Sequence, residues 1–223
     1  MSSLLVFPDD RVAADALTFA RRAIRLGDGA VRLRAENGVL AMTCAPLAPR
    51  GLFDTTPTIL GMRTLPVDPE LICDLVIDAE SLTADTDPSA LRLPESAVTA
   101  SWAGVSPPRA GWEELEGIAA STLASRAQWG IAAVAEAVPA DAGEDAVRIV
   151  RAGVWGPPDD ELEGLPLGVG FAAFALGFIG GDERARVFST GPWTRISLSR
   201  GHVLVRGPVR TGLTGVRATG PSA

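Results

Sequence analysis

Two hydrophobic periods govern this chain. Apolar and polar residues alternate near both ends, and a helical spacing of three to four fills the middle. The clearest alternation runs from Val31 to Cys44 and is interrupted by Asn37-Gly38. Asn-Gly between two such runs predicts a type I′ hairpin, because both central residues of that turn need positive φ. The register sets Ala35 across from Leu40, Leu33 from Met42 and Val31 from Cys44 on one buried face. Arg32, Arg34 and Glu36 line the other face, as suits an antiparallel sheet with one side in water. A second hairpin is expected from strands 193–199 and 202–206, turning at Arg200-Gly201. There Leu198 faces Val203 and Ile196 faces Val205 on the buried side. His202, Ser197, Leu204, Arg195 and Arg206 share the solvated side, with Arg195 directly across from Arg206. Further strands are expected at residues 4–7, 58–65, 71–77, 97–102 and 185–190.

The helical segments come with their own stop and start signals. Asp9 or Asp10 can cap a helix that continues to about residue 26 and ends at Gly27. Its apolar face is Val12, Ala16, Phe19, Ala20, Ala23 and Ile24, with Arg21, Arg22 and Arg25 facing water. A long helical pattern covers residues 112–138. Asp141-Ala142-Gly143-Glu144 resembles a capping box opening a helix that turns Val147, Val150 and Val154 inward. An acidic loop at 156–163 leads to an apolar helix at 168–179. Strands at both ends with helices between them predict an α+β fold: antiparallel sheet built from N-terminal and C-terminal hairpins, with a central segment of about three helices. Residues 1–223 read as a single domain. The alternative is a β-rich subdomain at 1–105 and a helical subdomain at 106–213 closed by the C-terminal hairpin. Residues 214–223 read as a loose tail.

Composition removes whole classes of chemistry. All 20 basic residues are arginine, there is no lysine or tyrosine, and there is one histidine, His202. A phosphate-loop lysine, Schiff-base or pyridoxal chemistry and a kinase-type lysine–glutamate pair are therefore excluded. A two-histidine metal site within one chain is excluded as well. The missing lysine, with abundant Ala, Arg, Gly and Pro, suggests a GC-rich bacterial genome. Cys44 and Cys73 form no C-x-x-C pair, and strand parity turns both thiols towards the core. The first residues lack a basic n-region, and the uncharged stretch at 165–181, broken by Pro166, falls short of the ~20 apolar residues needed to cross a bilayer. A cytoplasmic protein without membrane contact is expected.

Few residues remain to carry a function. Gly168-Val169-Gly170-Phe171-Ala172-Ala173 fits a dinucleotide fingerprint, but an acidic, proline-broken loop precedes it where that motif needs a strand. Small residues that let helices approach explain it better, and no cofactor is expected. Asp74 and Asp78 share a strand face with Glu80 just beyond, a low-ranking candidate for a Mg²⁺-dependent hydrolase. Charge distribution is more informative. Residues 184–223 hold seven arginines and no acid, whereas the rest of the chain holds 13 arginines against 27 acids. Arg195, Arg200, Arg206 and Arg210 form a strip on the closing hairpin, with Trp193 at its start. Docking on the acidic loop around residues 159–163 is one use for such a strip. The segment from Trp102 to Trp112 brackets Pro107-Pro108-Arg109 and could present Arg109 to a partner. The leading expectation is a non-catalytic module that binds a protein partner or a second copy of itself through this strip. Nucleic acid or a phosphate ligand at the same strip ranks next, held back by the net charge of −7.

Overall fold

The computed structural model describes residues 4–51 and 53–207. It is α+β, with antiparallel sheets and four helices. Leu4–Val6 forms β1, and Asp9 then caps α1 (Asp10–Ala23) by accepting from the backbone N–H groups of Arg11 and Val12 at 2.9 and 3.0 Å. Ala13, Ala16, Phe19, Ala20 and Ala23 form the buried stripe of α1. Ile24, expected on that stripe, lies just past the helix end and is exposed.

The first hairpin is β2 (Ala30–Glu36) and β3 (Val39–Leu47), with Ala35 paired to Leu40 and Leu33 to Met42 as expected. Asn37 and Gly38 both adopt positive φ, 54° and 76°, which is what the two-residue turn demands. β4 (Thr58–Pro66) pairs with β3, and β5 (Cys73–Asp78) pairs with β2. β6 (Thr83–Ala84) and β7 (Ala90–Arg92) join β1 in a small separate sheet ordered β1-β7-β6. Residues 97–102 form no strand; a short 3₁₀ turn at Ser101–Gly104 stands there instead.

The largest correction concerns residues 112–138. Glu113–Ala119 is a strand, β8, and only Ala120–Ala137 is helical, α2. The spacing of Trp112, Leu115 and Ile118 imitates a helix. Two cross-strand ion pairs favour the strand instead: Arg186 holds Glu114 through two hydrogen bonds at 2.9 and 3.1 Å, and Arg184 reaches Glu116 at 3.1 Å. α3 (Glu144–Trp155) starts from Gly143 with no side-chain cap, so Asp141 does not form the expected box. α4 (Gly168–Ala175) stops four residues early at a Schellman-type end, where Phe178 N–H donates to Ala173 C=O and Gly177 takes φ +70°. Gly168 and Gly170 serve close packing: a Cβ on Gly170 would lie 2.7 Å from the Leu123 carbonyl oxygen of α2.

β9 (Arg184–Thr190), β10 (Trp193–Leu198) and β11 (Gly201–Arg206) complete a second sheet of eight strands, ordered β5-β2-β3-β4-β11-β10-β9-β8. β11 pairs with β4, so the closing hairpin joins the sheet begun by the opening one. One face of this sheet carries the main core with α1, α4 and Trp155. The opposite face, expected to be wet, is partly covered. The segment around Ala100 and Trp102 packs there on Ala30, Ala45, Leu60, Trp193 and Leu204 in a smaller core. Arg32 ties the cover down by donating to the Ala103 carbonyl and the Ser106 hydroxyl, both at 2.8 Å.

Candidate binding surface

The closing hairpin turns one residue earlier than its sequence suggests. Its two turn residues are Ser199 and Arg200, and Leu198 pairs with Gly201. Two contacts fix this register. Glu183 accepts from the Ser199 N–H at 2.9 Å and from its hydroxyl at 3.1 Å. The Phe178 ring fills the space above Gly201, where a Cβ would sit 2.4 Å from a ring carbon. The faces survive the shift, but the pairs change. Arg195 lies across from Leu204, and Arg206 lies across from Trp193, so the expected Arg195–Arg206 opposition does not occur.

Arg195 instead sits between two rings. Its guanidinium lies 4.6 Å from the centroids of both Trp112 and Phe188. Arg186 covers Phe188 as well, at 4.9 Å. Cation–aromatic contacts of this kind hold the charge in place while removing water from it. Burial, with Arg186 as a second and repulsive influence, pulls the Arg195 guanidinium below its ordinary pKa. Its Nε is buried and finds no hydrogen-bond partner among the described residues. His202 shares this face, half-buried, with Nδ1 3.0 Å from the Ser197 hydroxyl. Burial, then Arg195 and Arg63, hold its pKa below the usual histidine value.

The other expected contact residues are dispersed. Trp193 is 4% exposed and belongs to the smaller core, so it is no partner surface. Arg109 is exposed and paired with Glu36 at 2.6 Å. Trp102 is buried with its indole N–H on Asp28 at 3.0 Å, while Trp112 donates to the Pro108 carbonyl at 3.0 Å and covers Arg195. The two ends of the tryptophan segment are thus anchors, and the second also builds the arginine stack. Arg200 lies at the hairpin turn, pointing to the helix side of the sheet rather than extending the strip. Arg210 lies outside the described residues, as does the expected tail. Among the described residues the strip does not dock on the acidic loop, where Asp159 and Glu161 are engaged by Arg126. Among the described residues, Arg195, Arg200 and Arg206 make no ion pair.

The carboxylates of β5 are also occupied. Arg32 holds Asp74 through two hydrogen bonds at 2.7 and 2.8 Å and keeps its pKa below the ordinary carboxylate range. Asp78 accepts from the Glu80 backbone N–H at 3.0 Å. Among the described residues no group of three or more His, Cys, Asp or Glu is placed to hold a metal ion.

Two family models match the chain. Residues 1–104 match a domain of unknown function, DUF8010, and residues 107–210 match another, DUF8185. No curated protein matches by sequence. Similar folds occur among solved structures. A DnaN sliding clamp (DNA polymerase III subunit beta) from Bartonella birtlesii, bound to griselimycin, aligns with a TM-score of 0.51 at 12% identity over 93% of this chain. DNA polymerase III subunit beta from Borrelia burgdorferi, in complex with a natural product, aligns at 0.50 with 8% identity over 100% of this chain. The chain spans 65% of the Bartonella clamp and 69% of the Borrelia one. At such identities the likeness is one of fold. No helix among the described residues is long and apolar enough to cross a membrane.

Sequence reasoning missed Phe188, Arg186 and Glu114 as parts of the Arg195 environment. Parity carried a signal for the first two, since Arg186 and Phe188 alternate onto one face of β9. Glu114 lies in a run whose apolar spacing is helical, so its place on a strand has no local signal.

Proposed function

We propose that the chain is a non-catalytic binding module that engages a protein partner through the sheet face around Arg195 and Arg206. The observation that carries this reading is the Arg195 stack. A guanidinium fixed between Trp112 and Phe188, stripped of part of its water and lacking a carboxylate from the described chain, is preorganised for a carboxylate from elsewhere. Aromatic residues with arginine are also the side chains most enriched at the energetic centres of protein interfaces. The likeness in fold to subunits of a DNA polymerase called sliding clamps supports association rather than catalysis. That likeness also keeps nucleic acid as a second reading. Glu114 and Glu116 on the edge strand β8 work against it, because they bring negative charge to that face, where they pair with Arg186 and Arg184.

The test is the pair Arg206→Glu and Arg195→Glu/Arg206→Glu, compared with wild type by sedimentation and by recovery of bound partners. The expected result is loss of self-association or of retained partners with the circular dichroism spectrum unchanged. Sedimentation and partners identical to wild type in both variants would overturn the reading. For nucleic acid the expected signature is affinity that falls steeply with salt, and no DNA or RNA shift at low ionic strength removes it.

A further inference from the structure

A cavity of about 230 Å³ opens on the helix side of the eight-stranded sheet, where α1 meets β4 and the β10–β11 turn. Three arginines from three separate elements converge on it: Arg22 from α1, Arg63 from β4 and Arg200 from the turn. Asp15 is the only carboxylate in its lining, and Arg63 already holds that group through Nε at 3.0 Å and through Nη2. Two positive charges are therefore left over around a recess whose floor is the stacked pair of Phe19 and Phe178.

The arrangement is built rather than incidental. Arg22 enters the recess by donating from Nη1 to the Leu176 carbonyl at 2.6 Å. It can do so because residue 177 is glycine: a Cβ there would lie 2.0 Å from that same Nη1. Arg63 uses its remaining Nη1 on the Arg200 carbonyl, which fixes the turn beside it. The Arg200 side chain has no ion pair among the described residues and lies against Gly180. Three guanidinium groups set against the single carboxylate of Asp15 repel one another, and an anion between them removes that repulsion.

We propose that the Arg22–Arg63–Arg200 pocket binds a small, multiply charged phosphate-type oxyanion, free or as the terminal group of a small molecule. Guanidinium forks match phosphate oxygens in pairs, which suits three of them facing one recess. Size limits the occupant. At about 230 Å³ the cavity is below the ~300–1,000 Å³ that encloses a drug-sized ligand. A phosphate or diphosphate group fits that limit better than a whole nucleotide. Thr18 at the rim adds a hydroxyl able to donate to the same anion, although in this structure it bonds the Ala14 carbonyl at 2.8 Å. The pocket lies on the opposite face of the sheet from Arg195, so this site and the proposed partner surface can fail independently.

The test uses the full chain with inorganic phosphate and with pyrophosphate as probes, followed by thermal shift and by calorimetric titration. Sodium chloride at matched ionic strength is the control. A ligand that binds only the folded state raises its melting temperature with saturation. The expected result is a saturable rise with pyrophosphate, a weaker one with phosphate and none with chloride. Arg200→Ala should weaken pyrophosphate binding at least tenfold without lowering the melting temperature of the unliganded protein, because that side chain makes no ion pair among the described residues and its removal relieves repulsion in the empty pocket. Arg22→Lys, which keeps a donor for Leu176 while losing the fork, should weaken it as well. No saturable response to pyrophosphate, or equal responses in wild type and Arg200→Ala, would overturn the proposal. So would binding of a single-stranded oligonucleotide without any response to pyrophosphate, which would assign the arginines to nucleic acid instead.

Discussion

His202 is the residue on which this fold's surroundings act most visibly. Burial disfavours its charged form, and Arg195 and Arg63 add positive potential, so its pKa falls below the ordinary value of about 6.5. A histidine with a depressed folded-state pKa is protonated first in the unfolded chain. Its neutral form therefore contributes stability that is complete above about pH 6.5 and is lost as pH falls from there through the folded-state value. Carboxylates titrate mainly below about pH 5, and this is the only histidine, so the window between is clean. Urea unfolding from pH 8 to 5 should show stability falling below pH 6.5 in wild type and a flatter profile in His202→Gln. Equal slopes for the two proteins would remove the argument. Strand parity alone places His202 beside Ser197 and Arg195. What parity cannot contain is the burial: His202 is an inner-strand residue flanked by Ser197 on one side and Met62 on the other, and pairing with β4 turns an expected solvated edge position into a half-buried one. The thiols show the opposite case. Cys44 is buried, and burial, with Asp28 adding to it, pushes its pKa up to about 12. Parity was sufficient there, because the helix-side face was covered as its hydrophobicity required.

Elements were legible where a turn carried its own chemistry and illegible where a distant side chain decided. Asn37-Gly38 needs nothing but its local φ preferences, and the first hairpin forms in the register those residues imply. In the second hairpin the local signal favours Arg200-Gly201, yet Gly201 is a strand residue because Phe178, more than twenty positions earlier, lies over it. Glu183 completes the choice by capping Ser199. β8 lacks a local signal for a related reason, since the arginines that fix it as a strand come from β9. Gly201→Val tests the first of these. Its side chain would have to displace the Phe178 ring, and overpacking of this kind costs roughly 1–3 kcal/mol. Ser199→Ala removes only a hydroxyl donated to Glu183 and should cost about 1 kcal/mol. Both are read from chemical denaturation midpoints at unchanged slope. A Gly201→Val protein as stable as wild type would mean that Phe178 does not set the register.

At the scale of the whole molecule, the pairing of β4 with β11 decides how the chain holds together. Met62 pairs with His202, Gly61 with Val203, Leu60 with Leu204 and Ile59 with Val205, so the strands of the two ends form one ladder. The main core crosses that seam: a Cβ on Gly61 would meet Leu176 of the α4 end, and a Cβ on Gly168 would meet Ile59. We propose accordingly that the described residues, 4–51 and 53–207, fold as one unit, with the change of character near residue 105 marking a join and not a break. Residues 1–105 alone would leave β4 as an edge without β11 and expose the face of Ile59 and Gly61 against which Gly168, Leu176 and Phe178 pack. Residues 106–223 alone would lose the strand that completes β11. Each half, expressed separately, should unfold without a sharp transition and tend to aggregate, and mixing the two should restore a cooperative transition near that of the intact chain. Cooperative unfolding of residues 1–105 at the same denaturant midpoint as the full chain would show instead that the seam joins two independent domains. The three arginines of the pocket give this experiment a second reading. Arg22 and Arg63 belong to one half and Arg200 to the other, so a phosphate-type anion bound between them would favour the reassembled pair over either half alone.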